Sequence, residues 1–231
     1  LKATISAQNG RPLAFVAAFF VSDRRDSGYT ILPGLLRHNT TRRKSFLMTG
    51  SPRARLTRDD WISAGFEALQ TTGPDVLGAE PLARRLGTTK GSFYWHFKDV
   101  PAFHAALLAR WQAEAEAALL AASGVTDTAR LRATAQAIAD SIHHDSLALR
   151  CEPMIRAWAQ GTAMVAGPLL DVDALRLARL RDLLAACGIG NPEMARILYA
   201  AATGMQGLQD ADRDETANAI GSLVDLILAL R

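Results

Sequence analysis

The chain reads as all-α. Apolar residues recur three and four positions apart along most of its 231 residues, the period of an amphipathic helix. No stretch alternates as a half-buried strand would. The third observation is Leu82 to Phe97, LARRLGTTKGSFYWHF, which has the layout of two short helices around a tight turn. Leu82, Ala83 and Leu86 give the first helix an apolar side. Gly87 suits the turn because it enters positive φ without steric cost. Thr88 or Thr89 can cap the second helix, a threonine oxygen accepting a first-turn N–H. That second helix is unlike a core element. Lys90, Gly91, Ser92, Tyr94, Trp95 and His96 offer donors, open backbone and flat rings, and only Phe93 and Phe97, i and i+4, form an inward face. Such a pair describes a helix-turn-helix whose second helix can lie in a DNA major groove.

Taken in order, residues 1–47 do not read as the start of a folded domain. The apolar run LAFVAAFFV (Leu13 to Val21) is too short to span a bilayer, and no clean small-x-small cleavage site follows it. The remainder is basic and turn-forming. Either it is an arm that tracks DNA or an extension upstream of a natural start at Met48; the second is the reading preferred. SPRAR then leads into a helix capped by Thr57, with Asp59 and Asp60 at its positive dipole end. Ile62, Phe66 and Leu69 make its apolar stripe, with Trp61 beside it, and Thr71-Thr72-Gly73-Pro74 stops it. Pro81 fits the first turn of the next helix. Arg84 and Arg85 project from that helix, toward phosphates or simply into solvent.

Asp99 can cap a long alanine-rich helix from Pro101 to Ala122, ended by Ser123-Gly124. Another spans Thr126 to Ile142. The region Ser146 to Ala159 is helical, with Pro153 either kinking or restarting it. Gly161 to Pro168 reads as a break. Leu170 to Cys187 is amphipathic and closed by Gly188, and Asn191-Pro192 opens a helix reaching Leu208. DADRDE (Asp210 to Glu215) reads as a turn before a last helix bearing Ile220, Leu223, Val224, Ile227 and Leu228.

The composition, 49% hydrophobic and 21% charged, is that of an ordinary globular chain. The net charge of +3 hides an asymmetry: residues 1–56 hold 10 Lys or Arg against 2 Asp or Glu, and the rest is net acidic. Attraction to DNA must therefore come from the local face of the helix-turn-helix. Cys151 and Cys187 form no metal or redox spacing, which suits a reducing cytoplasm and two buried thiols. Enzyme motifs are lacking: there is no nucleophile elbow or phosphate loop. His143, His144 and Asp145 are adjacent, so they diverge around a helix, and Gly188-x-Gly190 follows no strand. The expectation is no catalytic residue, no cofactor and no metal.

TTKGSFYWHFKD, preceded by a first helix and LARRLG, resembles the recognition signature of TetR/AcrR-family one-component transcriptional regulators, over about Thr57 to Trp111. EPMIRAWA (Glu152 to Ala159) and VDALRLARLRDLLAACG (Val172 to Gly188) more weakly resemble the regulatory domain of many members. The resemblance implies an N-terminal three-helix helix-turn-helix domain, residues 48–102, and a C-terminal helical bundle for regulation and dimerisation, residues 103–231. It implies that Tyr94, Trp95 and His96 contact DNA backbone or bases, Tyr94 a phosphate; the other reading for Trp95 is packing on the first helix. From the residues themselves, Thr88, Thr89, Ser92 and first-turn amides suit phosphate oxygens. Lys90 can reach guanine or a phosphate, and Gly91 admits close backbone approach. In the family a lysine commonly stands where Val100 is, leaving Lys98 as the nearest cation.

One short helix reads few base pairs, so such proteins bind palindromes as twofold dimers with half-sites about 34 Å or a multiple apart. Leu175, Leu180, Leu183, Ile197, Leu198, Ala201, Met205 and Leu208 are the expected seam; the other reading is that they only complete the monomer's core. The resemblance also implies a small-molecule effector in the bundle. Phe103, Trp111, Met154, Trp158, Met164 and Met205 are its candidate lining, each equally suited to ordinary core. The expectation is a cytoplasmic, homodimeric, ligand-released repressor that binds a duplex operator and no membrane. The alternatives are a DNA-binding bundle gated by a protein partner, and a helical enzyme or carrier that no longer reads DNA.

Overall fold

A computed structural model describes residues 55–208 and 212–230; the expectations for residues 1–47 and for the SPRAR lead-in lie outside them, apart from Arg55. The described residues form ten α-helices and no strand. Helix α1 (Arg58–Thr71) starts at Thr57 with a reciprocal cap: the Asp60 amide donates to Thr57 Oγ1 at 3.2 Å, and the Thr57 amide donates to Asp60 Oδ2 at 2.7 Å. These bonds hold the Asp60 carboxyl below its ordinary pKa. After a one-turn 3₁₀ segment, Pro74–Val76, come α2 (Ala79–Arg85) and α3 (Lys90–Tyr94). Helix α4 (Val100–Ala121) begins at Asp99, whose Oδ1 accepts from the Ala102 amide at 2.7 Å.

Helix α4 belongs to two cores. Phe103, Leu107, Leu108, Trp111 and Ala115 pack with the apolar sides of α1–α3, and Leu119 packs in a second cluster. The first core also takes residues from α6 (Leu147–Arg150), α7 (Glu152–Gly161) and the start of α8 (Ala163–Ala186). The second joins α5 (Asp127–Ala139), the later half of α8, α9 (Glu193–Met205) and α10 (Arg213–Leu228).

Several boundaries differ from expectation for local reasons. Pro153 restarts rather than kinks: it lies in the first turn of α7, where its missing amide has no partner to lose. The expected break over Gly161 to Pro168 shrinks to a joint at Thr162, and Pro168 lies inside α8. The amide that Pro168 lacks would have bonded the carbonyl of Met164, an exposed residue one turn from the helix start. The carbonyl of Pro168 itself accepts from Gln112 of α4 at 3.2 Å. Most of DADRDE is likewise not a turn: Asp212 caps α10, its Oδ1 accepting from the Glu215 amide at 2.7 Å, and residues 213–215 are the first helical turn. The helix expected to end at Ile142 stops at Ala139 and tightens into a 3₁₀ turn, Asp140–His143. Gly188, at φ 83°, closes α8 by letting the Gly188 and Ile189 amides bond the carbonyls of Ala185 and Leu184.

Candidate DNA-binding face

The connection from α2 to α3 is set by Gly87. At φ 63° it turns the chain so that its own amide donates to the Arg84 carbonyl and the Thr88 amide to the Ala83 carbonyl, at 3.2 and 2.9 Å. Thr89 takes the N-cap position of α3 with extended backbone, but its hydroxyl makes no capping bond, contrary to the sequence expectation. The first turn closes through backbone instead, the Ser92 amide donating to the Thr89 carbonyl at 3.0 Å.

Five residues are too few for a helix to persist on propensity; packing holds α3. Phe93 and Phe97 are buried, as expected, in a nest of rings. Phe93 meets Trp61 edge-on at 5.4 Å and Phe103 at 5.5 Å, and Phe97 meets Phe103 at 5.0 Å. With that face anchored, the opposite one is presented outward. Lys90 and Gly91 are exposed, Ser92 and His96 half-buried, Tyr94 48% exposed and Trp95 83% exposed. Trp95 therefore does not pack on the first helix. A Trp so open leaves a large ring and an indole N–H available to a partner.

The flanking cations divide. Arg84 pairs with Glu80 at 3.2 Å and Arg85 with Glu67 at 3.3 Å, all exposed. Lys98 is exposed beside the ring nest. Sequence reasoning overlooked Arg58: its guanidinium lies 5.0 Å over the Phe97 ring, adding a cation near Lys98. The sequence signal was present, a basic residue at the start of the first helix.

Four of the six expected pocket residues are brought together and two are apart. Phe103 and Trp111 are fully buried in the first core, with Met154 and Trp158 packed against it; Met205 packs against the second core and Met164 is exposed. A cleft of about 210 Å³ between α1, α4 and α6 is lined instead by residues such as Phe66, Arg110, Glu114 and Ser146. The expected seam also divides. Leu180, Leu183 and Leu198 are monomer core, Ala201 and Met205 are partly buried, and Leu175, Ile197 and Leu208 are exposed. Cys151 and Cys187 are buried free thiols, and burial pushes the Cys151 thiol up to about 11. Among the described residues no group of three or more His, Cys, Asp or Glu is placed to hold a metal, and no helix is long and apolar enough to cross a membrane.

Sequence reasoning also missed a charge network with a buried pair at its centre. Arg176 holds Glu152 through both terminal nitrogens, at 2.6 and 2.9 Å, and Arg156 holds Asp173 likewise at 3.1 and 2.7 Å. Arg156 also reaches Glu152, and Tyr199 donates to Asp173 at 2.6 Å. The clue was Arg176 itself, which sits on the apolar stripe of α8 between Val172 and Leu180.

A helix-turn-helix with its second helix anchored by aromatics and its outer face open defines a helix-turn-helix DNA-binding protein. Residues 62–99, the helix-turn-helix head, match the sequence model of the bacterial regulatory proteins of the tetR family. Solved structures agree on the fold. A TetR-family transcriptional regulator from Rhodococcus sp. is 19% identical, with 74% of this chain and 98% of that one covered and a TM-score of 0.63. A transcriptional regulator from Rhodococcus sp. Rha1 is 18% identical, with 75% and 97% covered and a TM-score of 0.65. The ketosteroid transcriptional regulator KstR2 of Mycobacterium tuberculosis is 14% identical, with 74% and 93% covered and a TM-score of 0.56. No curated protein matches the chain significantly.

Proposed function

We propose that the chain is a cytoplasmic, non-catalytic repressor that binds a palindromic operator as a homodimer and is released when a small ligand enters its helical bundle. The observation that carries this reading is the outer face of α3: Lys90, Gly91 and Trp95 are exposed, Ser92 is half-buried, and Tyr94, braced edge-on against Phe93 at 5.3 Å, keeps about half its surface open. In a major groove, Lys90 would meet a guanine edge or a phosphate, Tyr94 a phosphate, and the unused Thr89 hydroxyl a further backbone oxygen. Arg58 and Lys98 would flank the groove; Arg84 and Arg85 would join them only by leaving their carboxylates. The seam would use Leu175, Ile197 and Leu208 with the small residues between them.

The test is selection of bound duplexes from a random pool, at two salt concentrations. Enrichment of a palindrome is expected. Lys90→Ala and Tyr94→Ala should each weaken binding without unfolding the protein, and loss of a phosphate contact should reduce the salt slope by about 1. Unchanged affinity in both variants would rule out this face.

A second reading is favoured by one observation. Phe103 and Trp111, expected to line a ligand pocket, are fully buried in packed core. Release by a protein partner acting on the bundle accommodates that packing. Discovery of a small molecule that dissociates the duplex would decide against it.

A further inference from the structure

We infer that Glu152, Arg156, Asp173, Arg176 and Tyr199 are positioning residues that carry movement of the α8–α9 pair to the DNA-reading head through α7. Glu152 is 0% exposed and Arg176 3% exposed. Burying such a pair gains little over apolar side chains of the same volume, because desolvation offsets the attraction. What charges add is register. Arg156 is shared by Glu152 on its own helix, Asp173 on α8 and the Tyr199 hydroxyl on α9, the last at 2.8 Å. Sliding α7 against α8 by a turn leaves the buried Glu152 carboxylate without its counterpart, and sliding α9 takes the Tyr199 hydroxyl away from Asp173 and Arg156. The three therefore move together.

The other side of α7 reaches the head. Trp158, half a turn from Arg156, packs edge-on against His104 of α4 with ring centres 5.0 Å apart. The His104 Nε2 is 2.8 Å from the carbonyl of Leu77, a buried residue at the entry to α2. The contacts thus run from Tyr199 through Asp173 to Arg156 on one side of α7, and from Trp158 through His104 to Leu77 on the other, with the helix itself joining the two. Spatial continuity alone does not establish coupling, so the coupling is what the experiment measures. The inference rests on α9 contributing to the dimer seam of the proposed regulator, since its exposed residues Ile197, Ala200 and Gly204 lie on the same helix as Tyr199.

The experiment is amide hydrogen exchange on the full chain and on Tyr199→Phe, which removes one oxygen and keeps the ring. Amides of residues 77–97 should exchange faster by about tenfold, the effect of losing one charge-assisted hydrogen bond. Ile220→Val, in the same core but outside the network, should leave those amides unchanged. Acceleration confined to residues 152–208, or equal acceleration in both variants, overturns the inference. A Tyr199→Phe, Trp158→Phe double variant provides a second readout: non-additive effects on residues 77–97 support a shared path, and additive ones refute it. Duplex selection on the unaltered chain is run separately. Its failure would sink the regulator reading while leaving the exchange result to decide the coupling.

Discussion

Individual residues set the tolerances of the head. Gly65 lets α1 and α4 approach, because a Cβ there would meet Leu107 Cδ1 and Phe103 Cζ, each at 2.7 Å. Both are buried in the first core and have little room to retreat. Gly65→Ala should therefore destabilise by about 1–3 kcal/mol, the usual cost of overpacking. Gly167→Ala, where a Cβ meets nothing within 4 Å, should be neutral or stabilising. Urea denaturation of both variants checks this, and equal effects would contradict it. His104 gives a pH dependence. Burial lowers its pKa below the ordinary 6.5, outweighing the Leu77 carbonyl that raises it. Between the folded value and 6.5 the unfolded chain binds more protons, so this contribution is present at neutral pH and is lost on acidification. The urea midpoint should fall from about pH 7.5 to about pH 5, and fall less in His104→Gln. Parallel profiles in the two proteins would show that His104 is not responsible.

At the scale of elements, legibility followed how much of the cause was local. Thr57 with Asp60, Gly87 and Gly188 act within a few residues, and each sits where its sequence pattern placed it. Phe93 and Phe97 were equally plain, being the only apolar i, i+4 pair in a polar helix. Pro168 misled because proline's cost depends on what its neighbour's carbonyl can find, which a tertiary environment decides. The Glu152–Arg176 and Arg156–Asp173 pairs lie between helices and are invisible to periodicity, although a charged residue on the α8 stripe was a sign. The division of the expected pocket and seam residues has the same origin: helical spacing says which side chains share a face, and not which neighbour covers that face. Leu198 and Ile197 are adjacent in sequence, one buried and the other open.

At the scale of the whole molecule, the acidic balance of residues beyond 56 leaves the α3 face, with Lys90 and its open rings, as a local exception on a net acidic body. One such face is a weak reader, since few base edges lie within reach of a five-residue helix. Pairing two of them on a twofold axis squares the discrimination, and it requires a surface that can be self-complementary. The exposed side of α9 and the residues just after it have that character: Ile197 is 47% exposed, Leu208, three residues past the helix end, 54%, and Ala200 and Gly204 between them are exposed and small, so a second helix can come close. Leu175 of α8 adds to the apolar area. A specific seam should bury roughly 800 Å² on each copy. Ile197→Arg places a charge at its centre while leaving the monomer's core intact. The variant should keep its helical content and halve the mass measured by light scattering, and it should lose enrichment of palindromic duplexes. Leu226→Arg, on an exposed position of α10 away from this stripe, should change neither. A dimer that survives Ile197→Arg would place the twofold axis elsewhere, and the half-site spacing in the selected duplexes would then show how far apart the two α3 helices are held.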